Sequence, residues 1–158
     1  MAEYDLAEAD FQVDGARVGV IAARFNHDIT NGLLAGALTA LERHNVKTSD
    51  ITVIRVPGAF ELPLAAQRLA ARQQVDAIVT LGAVVRGGTP HFEYVCSECA
   101  RGVMRVGLDF DLPVIFGVLT TDTMEQALER VGGRQGHKGE EAALAALETL
   151  SVLKELDT

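Results

Sequence analysis

The stretch Leu81-Gly-Ala-Val-Val-Arg-Gly-Gly-Thr-Pro-His-Phe92 carries the residues best placed to do chemistry. An apolar run ends in a Gly-Gly pair. Threonine and proline follow, and His91 falls inside the first turn of the helix that Pro90 should open. This order places backbone N–H groups around Gly88, the Thr89 hydroxyl and the His91 imidazole about one small volume. The positive end of a helix dipole points into the same volume, which suits an anion together with proton transfer. The dipole disfavours an imidazolium there, so His91 is expected to be neutral and able to accept a proton near neutral pH. A surface histidine is more often merely solvated, and His27, His44 and His137 have no comparable setting.

Three further loops carry distinctive residues. Arg24-Phe25-Asn26 follows one apolar run, Pro57-Gly-Ala-Phe-Glu-Leu-Pro63 another, and Thr120-Thr-Asp-Thr123 the last. Phe25 and Phe60 fall where solvent-facing loops should be. Each alone reads as a plug under its loop, but two aromatics at one sheet edge also suit stacking on a flat ring. Glu61 near a helix start is favoured there by the dipole alone, yet a loop and a carboxylate can match the edge of a heterocycle. Arg130 and Lys138 flank the turn Gly132-Gly-Arg-Gln-Gly-His137. Either could be an ordinary solvated cation, or the anchor of a phosphate. No loop contains G-x-G-x-x-G or G-x-x-x-x-G-K-[ST], so dinucleotide and phosphate-loop readings lack their defining feature.

The elements that must position these loops alternate. Strands are predicted over 17–23, 51–56, 75–83 and 113–119. Helices are predicted over about 29–44, 60–72, 90–108, 124–131 and 139–156. Runs buried on both faces and separated by helices indicate a doubly wound α/β/α sandwich on a four-stranded parallel sheet. In such sheets ligands bind beyond the carboxyl ends of the strands, where all four loops lie. Thr89 is expected to cap the third helix with Pro90 at its first position, and Thr123 and Gln126 have capping-box spacing. Leu144, Leu147, Leu150 and Leu153 form a stripe on the last helix. Before Arg17, Phe11 and Val13 alternate like a short strand that pairs outside its own sheet.

With 158 residues, 48% of them hydrophobic, the chain fits one domain with a full core: an arm over 1–14 and an α/β core over 15–158. A net charge of −8 disfavours nucleic acid and anionic membrane as partners. The N-terminus is acidic without an apolar run, and no stretch reaches transmembrane length, so the cytoplasm is the expected location. Cys96 and Cys99 have C-x-x-C spacing. They lie a turn or more beyond Pro90 and have no second pair for zinc, so two small buried side chains on one helix face are expected.

In order, R-F-N at 24–26, P-G-A-F-E-L-P at 57–63, L-G-A-V-V-R-G-G-T-P-H-F at 81–92, F-G-V-L-T-T-D-T at 116–123, and E-Q-A-L-E-R followed by H-K-G at 137–139 resemble the lumazine synthase family. The resemblance runs from about Gly15 to Leu156. It implies a flavodoxin-like fold whose N-terminal strand pairs with a neighbouring subunit. It implies condensation of 5-amino-6-(D-ribitylamino)uracil with 3,4-dihydroxy-2-butanone 4-phosphate to 6,7-dimethyl-8-ribityllumazine, the penultimate step of riboflavin biosynthesis, with no cofactor or metal. By the same resemblance Phe25 stacks on the pyrimidine. Ala59, Phe60 and Glu61, with backbone at Ala83, Val84 and Val85, hold the pyrimidine and ribityl chain. Gly88, Thr89 and Arg130 bind phosphate, and His91 moves protons. Phe116, Arg130 and Lys138 match positions contributed by the neighbouring subunit; the residues alone place Phe116 in a buried strand. A homopentamer, an icosahedral shell of pentamers and a riboflavin synthase partner are also implied. The competing readings are a module that holds FMN without catalysis, and a shell-forming protein with a vestigial site.

Overall fold

The computed structural model describes residues 4–7 and 10–158. β1 (Val18–Ala23), β2 (Ile51–Val56), β3 (Ala77–Val85) and β4 (Val114–Thr121) form one parallel sheet in the order β2-β1-β3-β4. Alternation within the central strands divides the core in two. Val18, Val20 and Ala22 of β1 and Ala77, Val79 and Leu81 of β3 face α1 (His27–Arg43) and α5 (Lys138–Leu156). Ile21, Ala23 and Ile78 face α2 (Leu62–Ala71) and α3 (His91–Phe110). These are the two faces of period-2 strands, each covered by helices. The result is the α/β/α sandwich expected from the sequence.

The strand order reverses at β1: the chain steps from β1 to β2 on one side, then returns to β3 on the other. A crevice opens at such a switch point beyond the strand ends. Asn26 bridges it, donating from Nδ2 to the Ala83 carbonyl at 2.9 Å from a left-handed backbone (φ 61°).

Several local expectations are corrected. Thr89 does not cap α3: Pro90 is the N-cap residue, already helical at φ −65° and ψ −2°, and no side chain caps the helix. The short α4 (Met124–Leu128) ends earlier than predicted. A hairpin follows, β5 (Val131–Gly133) and β6 (Gly136–His137), because Gly132 and Gly136 adopt φ of +92° and +77°, which L side chains resist. Burial on both faces holds for β1 and most of β3 but fails at the edge strands, where Val53 of β2 and Phe116 of β4 are exposed. In the leucine stripe only Leu147 and Leu150 are buried; Leu144 and Leu153 are half-exposed. The arm lies partly outside the described residues. Within the chain, Phe11 and Val13 join no strand: Val13 packs into the core, and Phe11 meets the His44 ring edge-on at 5.5 Å. The Thr123–Gln126 capping box is present, with Gln126 N–H donating to Thr123 Oγ1 at 3.1 Å.

Helices α1 and α5 approach at Gly139. A Cβ there would strike the Leu33 carbonyl and stand 2.9 Å from Leu33 Cα, backbone that cannot rotate away. Gly139→Ala should cost about 1–3 kcal/mol as overpacking, read as a lower denaturant midpoint; an unchanged midpoint would contradict the tight contact.

At the opposite end of the sheet from the crevice, Arg17 and Asp76 pair at 3.0 Å. Burial raises the Asp76 pKa, but hydrogen bonds from the Arg17 side chain and amide outweigh it and hold the carboxyl below its usual range. A depressed folded-state pKa stabilises above the ordinary value of 3.8 and ceases to do so as pH falls through the folded one. The stability advantage of the wild type over Asp76→Asn should therefore be full above pH 3.8 and shrink below it. A pH-independent difference would refute the pairing.

Candidate functional site

Backbone hydrogen bonds knit the loops beyond the sheet. Arg24 N–H donates to the Val56 carbonyl at 2.8 Å, and Phe25 N–H to the Pro57 carbonyl at 2.9 Å. With its backbone tied down, Phe25 leaves its ring 71% exposed. After β2, the Gly58 amide donates to Glu61 Oε2 at 3.0 Å and closes a single 3₁₀ turn. Phe60 stands on that turn, 60% exposed. Neither ring is a plug. Both project into solvent beside one cleft, and exposing two phenylalanines forgoes burial worth roughly 1.5–3 kcal/mol each. The Glu61 carboxylate both caps its own turn and lines the cleft, so its local role and a ligand role coexist.

The cleft has a volume of about 690 Å³, within the range of small-molecule sites. Phe25, Ala59, Phe60, Glu61, Ala83, Val84, Val85, Thr89 and His91 all line it. Gly88 is next to the wall rather than part of it; its neighbour Gly87 lines the cleft instead. A Cβ at either glycine would meet no atom within 4 Å, so the loop is open to a ligand. His91 is the first residue of α3, and no side chain caps that end, which leaves first-turn amides available to an anion. An apolar floor, two rings, a carboxylate and an imidazole can hold a flat heterocycle and exchange protons with it.

The remaining predicted residues are elsewhere. Phe116, Arg130 and Lys138 line a second concavity of about 410 Å³ beside the edge strand β4. Phe116 is 40% exposed there, which corrects its expected burial, since an edge strand lacks a neighbour on one side. Arg130 Nη1 donates to the Gln126 carbonyl at 2.8 Å, and Lys138 Nζ lies 3.1 Å from Glu141. Two cations next to a ring can hold an anion beside an aromatic group. Within one chain, no residue is shared by the linings of the two clusters.

Sequence reasoning missed Gly58, Phe92, Tyr94 and Val95 on the cleft wall. Tyr94 and Val95 lie three and four residues after His91, on the same helix face, so helical spacing could have found them. It also missed Arg86. That guanidinium pairs with Glu93 and Asp122, and its hydrogen bond holds the Glu93 carboxyl below the usual range. His137 caps α5, accepting the Glu140 amide at Nδ1. Cys96 and Cys99 are free thiols, and neither lines the cleft; only Cys99 is fully buried, and burial pushes its pKa up to about 12. Among the described residues no group of three or more His, Cys, Asp and Glu side chains gathers to hold a metal.

Comparison with known families gives a match to the model described as 6,7-dimethyl-8-ribityllumazine synthase, over residues 15–154 of the 158. No helix among the described residues is long and apolar enough to cross a membrane.

Proposed function

The chain belongs to the 6,7-dimethyl-8-ribityllumazine synthase family, transferases of riboflavin biosynthesis, and from that premise we propose that it condenses 5-amino-6-(D-ribitylamino)uracil with 3,4-dihydroxy-2-butanone 4-phosphate. The observation that carries the reading is the convergence of Phe25, Phe60, Glu61 and His91 on one cleft. The pyrimidine stacks on Phe25, and the Ala59–Glu61 turn and the backbone of Ala83, Val84 and Val85 bind its edge and the ribityl chain. The butanone phosphate binds at Gly88, Thr89 and the start of α3.

The 5-amino group attacks the ketone and loses water to form a Schiff base. Removal of the C3 proton then expels phosphate from C4, the resulting enol tautomerises to a ketone at C3, and attack of the ribitylamino nitrogen on that new carbonyl closes the ring with loss of a second water. Each step transfers protons and none changes the net oxidation state, so no redox cofactor is required. His91 accepts and returns those protons.

One chain's cleft lacks a lysine or arginine on its phosphate side, while Arg130 and Lys138 stand with Phe116 in the other concavity. In a net −8 chain, a phosphate dianion needs those cations. A heterologous ring of copies supplies them, setting the β4 concavity of one subunit against the cleft of the next. We assign the chain, as one domain with an N-terminal arm, to a cytoplasmic homopentamer. In this reading the arm adds a strand to a neighbour, pentamers build an icosahedral shell, and riboflavin synthase is the candidate partner.

Incubation with both substrates, followed by absorbance of the lumazine and release of phosphate, tests the reaction. Equimolar lumazine and phosphate are expected. No product, from protein that binds FMN instead, would reject it. Sedimentation showing only free pentamers or decamers would reject the shell.

A further inference from the structure

One guanidinium outside both clusters joins the loops after β3 and β4. Arg86 Nε donates to Asp122 Oδ1 at 2.7 Å, Nη1 pairs closely with Glu93, and the guanidinium carbon lies 4.3 Å from the Phe92 ring centroid. The Arg86 amide donates to the Thr121 carbonyl at 2.8 Å. Phe92 and Glu93 stand in the first turn of α3 with His91. On the other side, the Asp122 amide donates to Gln126 Oε1 at 2.8 Å, and the Gln126 carbonyl accepts from Arg130 at 2.8 Å. Arg86 therefore lies between the turn that carries His91 and the turn that leads to Arg130.

Little else holds the intervening loop, since Gly87 and Gly88 stand in open space. With a carboxylate on each arm, Arg86 is not a free ligand for an anion. Its planar fork fixes two carboxylates at once, which an ammonium cannot do in the same geometry. Among the described residues, no hydrogen bond or ion pair joins its side chain to the loops after β1 and β2, which carry Phe25 and Phe60.

We propose that Arg86 is a positioning residue: it holds the Gly87–Thr89 backbone and the His91 turn in register with the loop before α4. Its kinetic consequence rests on the reaction proposed above; its effect on the loop does not. On the pyrimidine side, Phe25 and Phe60 stand on loops that the Arg86 side chain does not bond, and Ala83–Val85 are held by sheet pairing with Leu119–Thr121 of β4. A loss of Arg86 thus affects proton transfer and the phosphate substrate, and spares the pyrimidine.

Three variants test this: Arg86→Met, Arg86→Lys and Asp122→Asn. The last removes one arm on an exposed loop and leaves every core contact in place. For Arg86→Met, kcat should fall roughly ten- to hundredfold, and KM for the butanone phosphate should rise, as expected for groups displaced by an ångström or less. Pyrimidine affinity should stay within about twofold. Arg86→Lys should recover little, and Asp122→Asn should show the same split at smaller size. Amide hydrogen exchange over 86–93 should accelerate in all three, a readout that needs no substrate. Unchanged exchange would overturn the proposal. So would equal weakening of both substrates together with a lower thermal midpoint, the signature of general support for the fold. A wild type without turnover would reject the reaction and leave the exchange data to decide on Arg86.

Discussion

Replacing His91 by alanine is expected to lower single-turnover rates by about 10²–10⁴-fold, the usual worth of general acid–base help. Binding of both substrates should change little. The imidazole stands at the first position of α3, on the cleft wall with Phe25, Phe60 and Glu61. None of the side-chain hydrogen bonds that support the loops involves it, so its removal leaves Asn26–Ala83, Gly58–Glu61 and Arg86–Asp122 intact. It is exposed, and the deletion opens no core cavity. A fall in kcat without a rise in KM is the pattern of an interaction made mainly in the transition state. Rapid-quench measurement with saturating pyrimidine separates the cases. An unchanged rate would remove His91 from the chemistry, and a loss confined to KM would make it a binding group.

The sheet could be read from the sequence because its signals are local. All six residues of β1 and seven of the nine in β3 are buried, both strands stand between amphipathic runs, and a parallel sheet is what buries both faces of such strands. The cleft followed because all its loops lie at one end of that sheet. What the sequence did not disclose depends on distant neighbours. Phe116 looks like core in an apolar run, and only its place on an edge strand exposes it. Thr89 has the right chemistry for a cap, but Pro90 is already helical and the helix starts one residue later. Arg86 sits in the most informative motif, yet its partner Asp122 is 36 residues away, a pairing that no local pattern contains. The hairpin after α4 was hidden because it turns on Gly132 and Gly136, whose positive φ values become visible only in the fold.

The central claim is that the site is divided between two copies of the chain, with His91 on one side and Arg130 on the other. Arg130→Ala by itself should weaken the butanone phosphate through lost charge-assisted bonds worth about 1.5–3 kcal/mol, and spare the pyrimidine. The decisive measurement mixes it with His91→Ala. Each variant alone damages every site in its rings. Denatured together and reassembled at equal amounts, they form random mixed rings. At about a quarter of the interfaces an Arg130→Ala chain supplies His91 while its His91→Ala neighbour supplies Arg130, and both groups are intact. Mixed rings should then recover a substantial fraction of wild-type turnover, up to that share, while separately refolded controls stay low. Mixed rings confirmed by mass spectrometry that remain as inactive as the controls would contradict a shared site and mean that both residues act within one chain or that the site lies elsewhere.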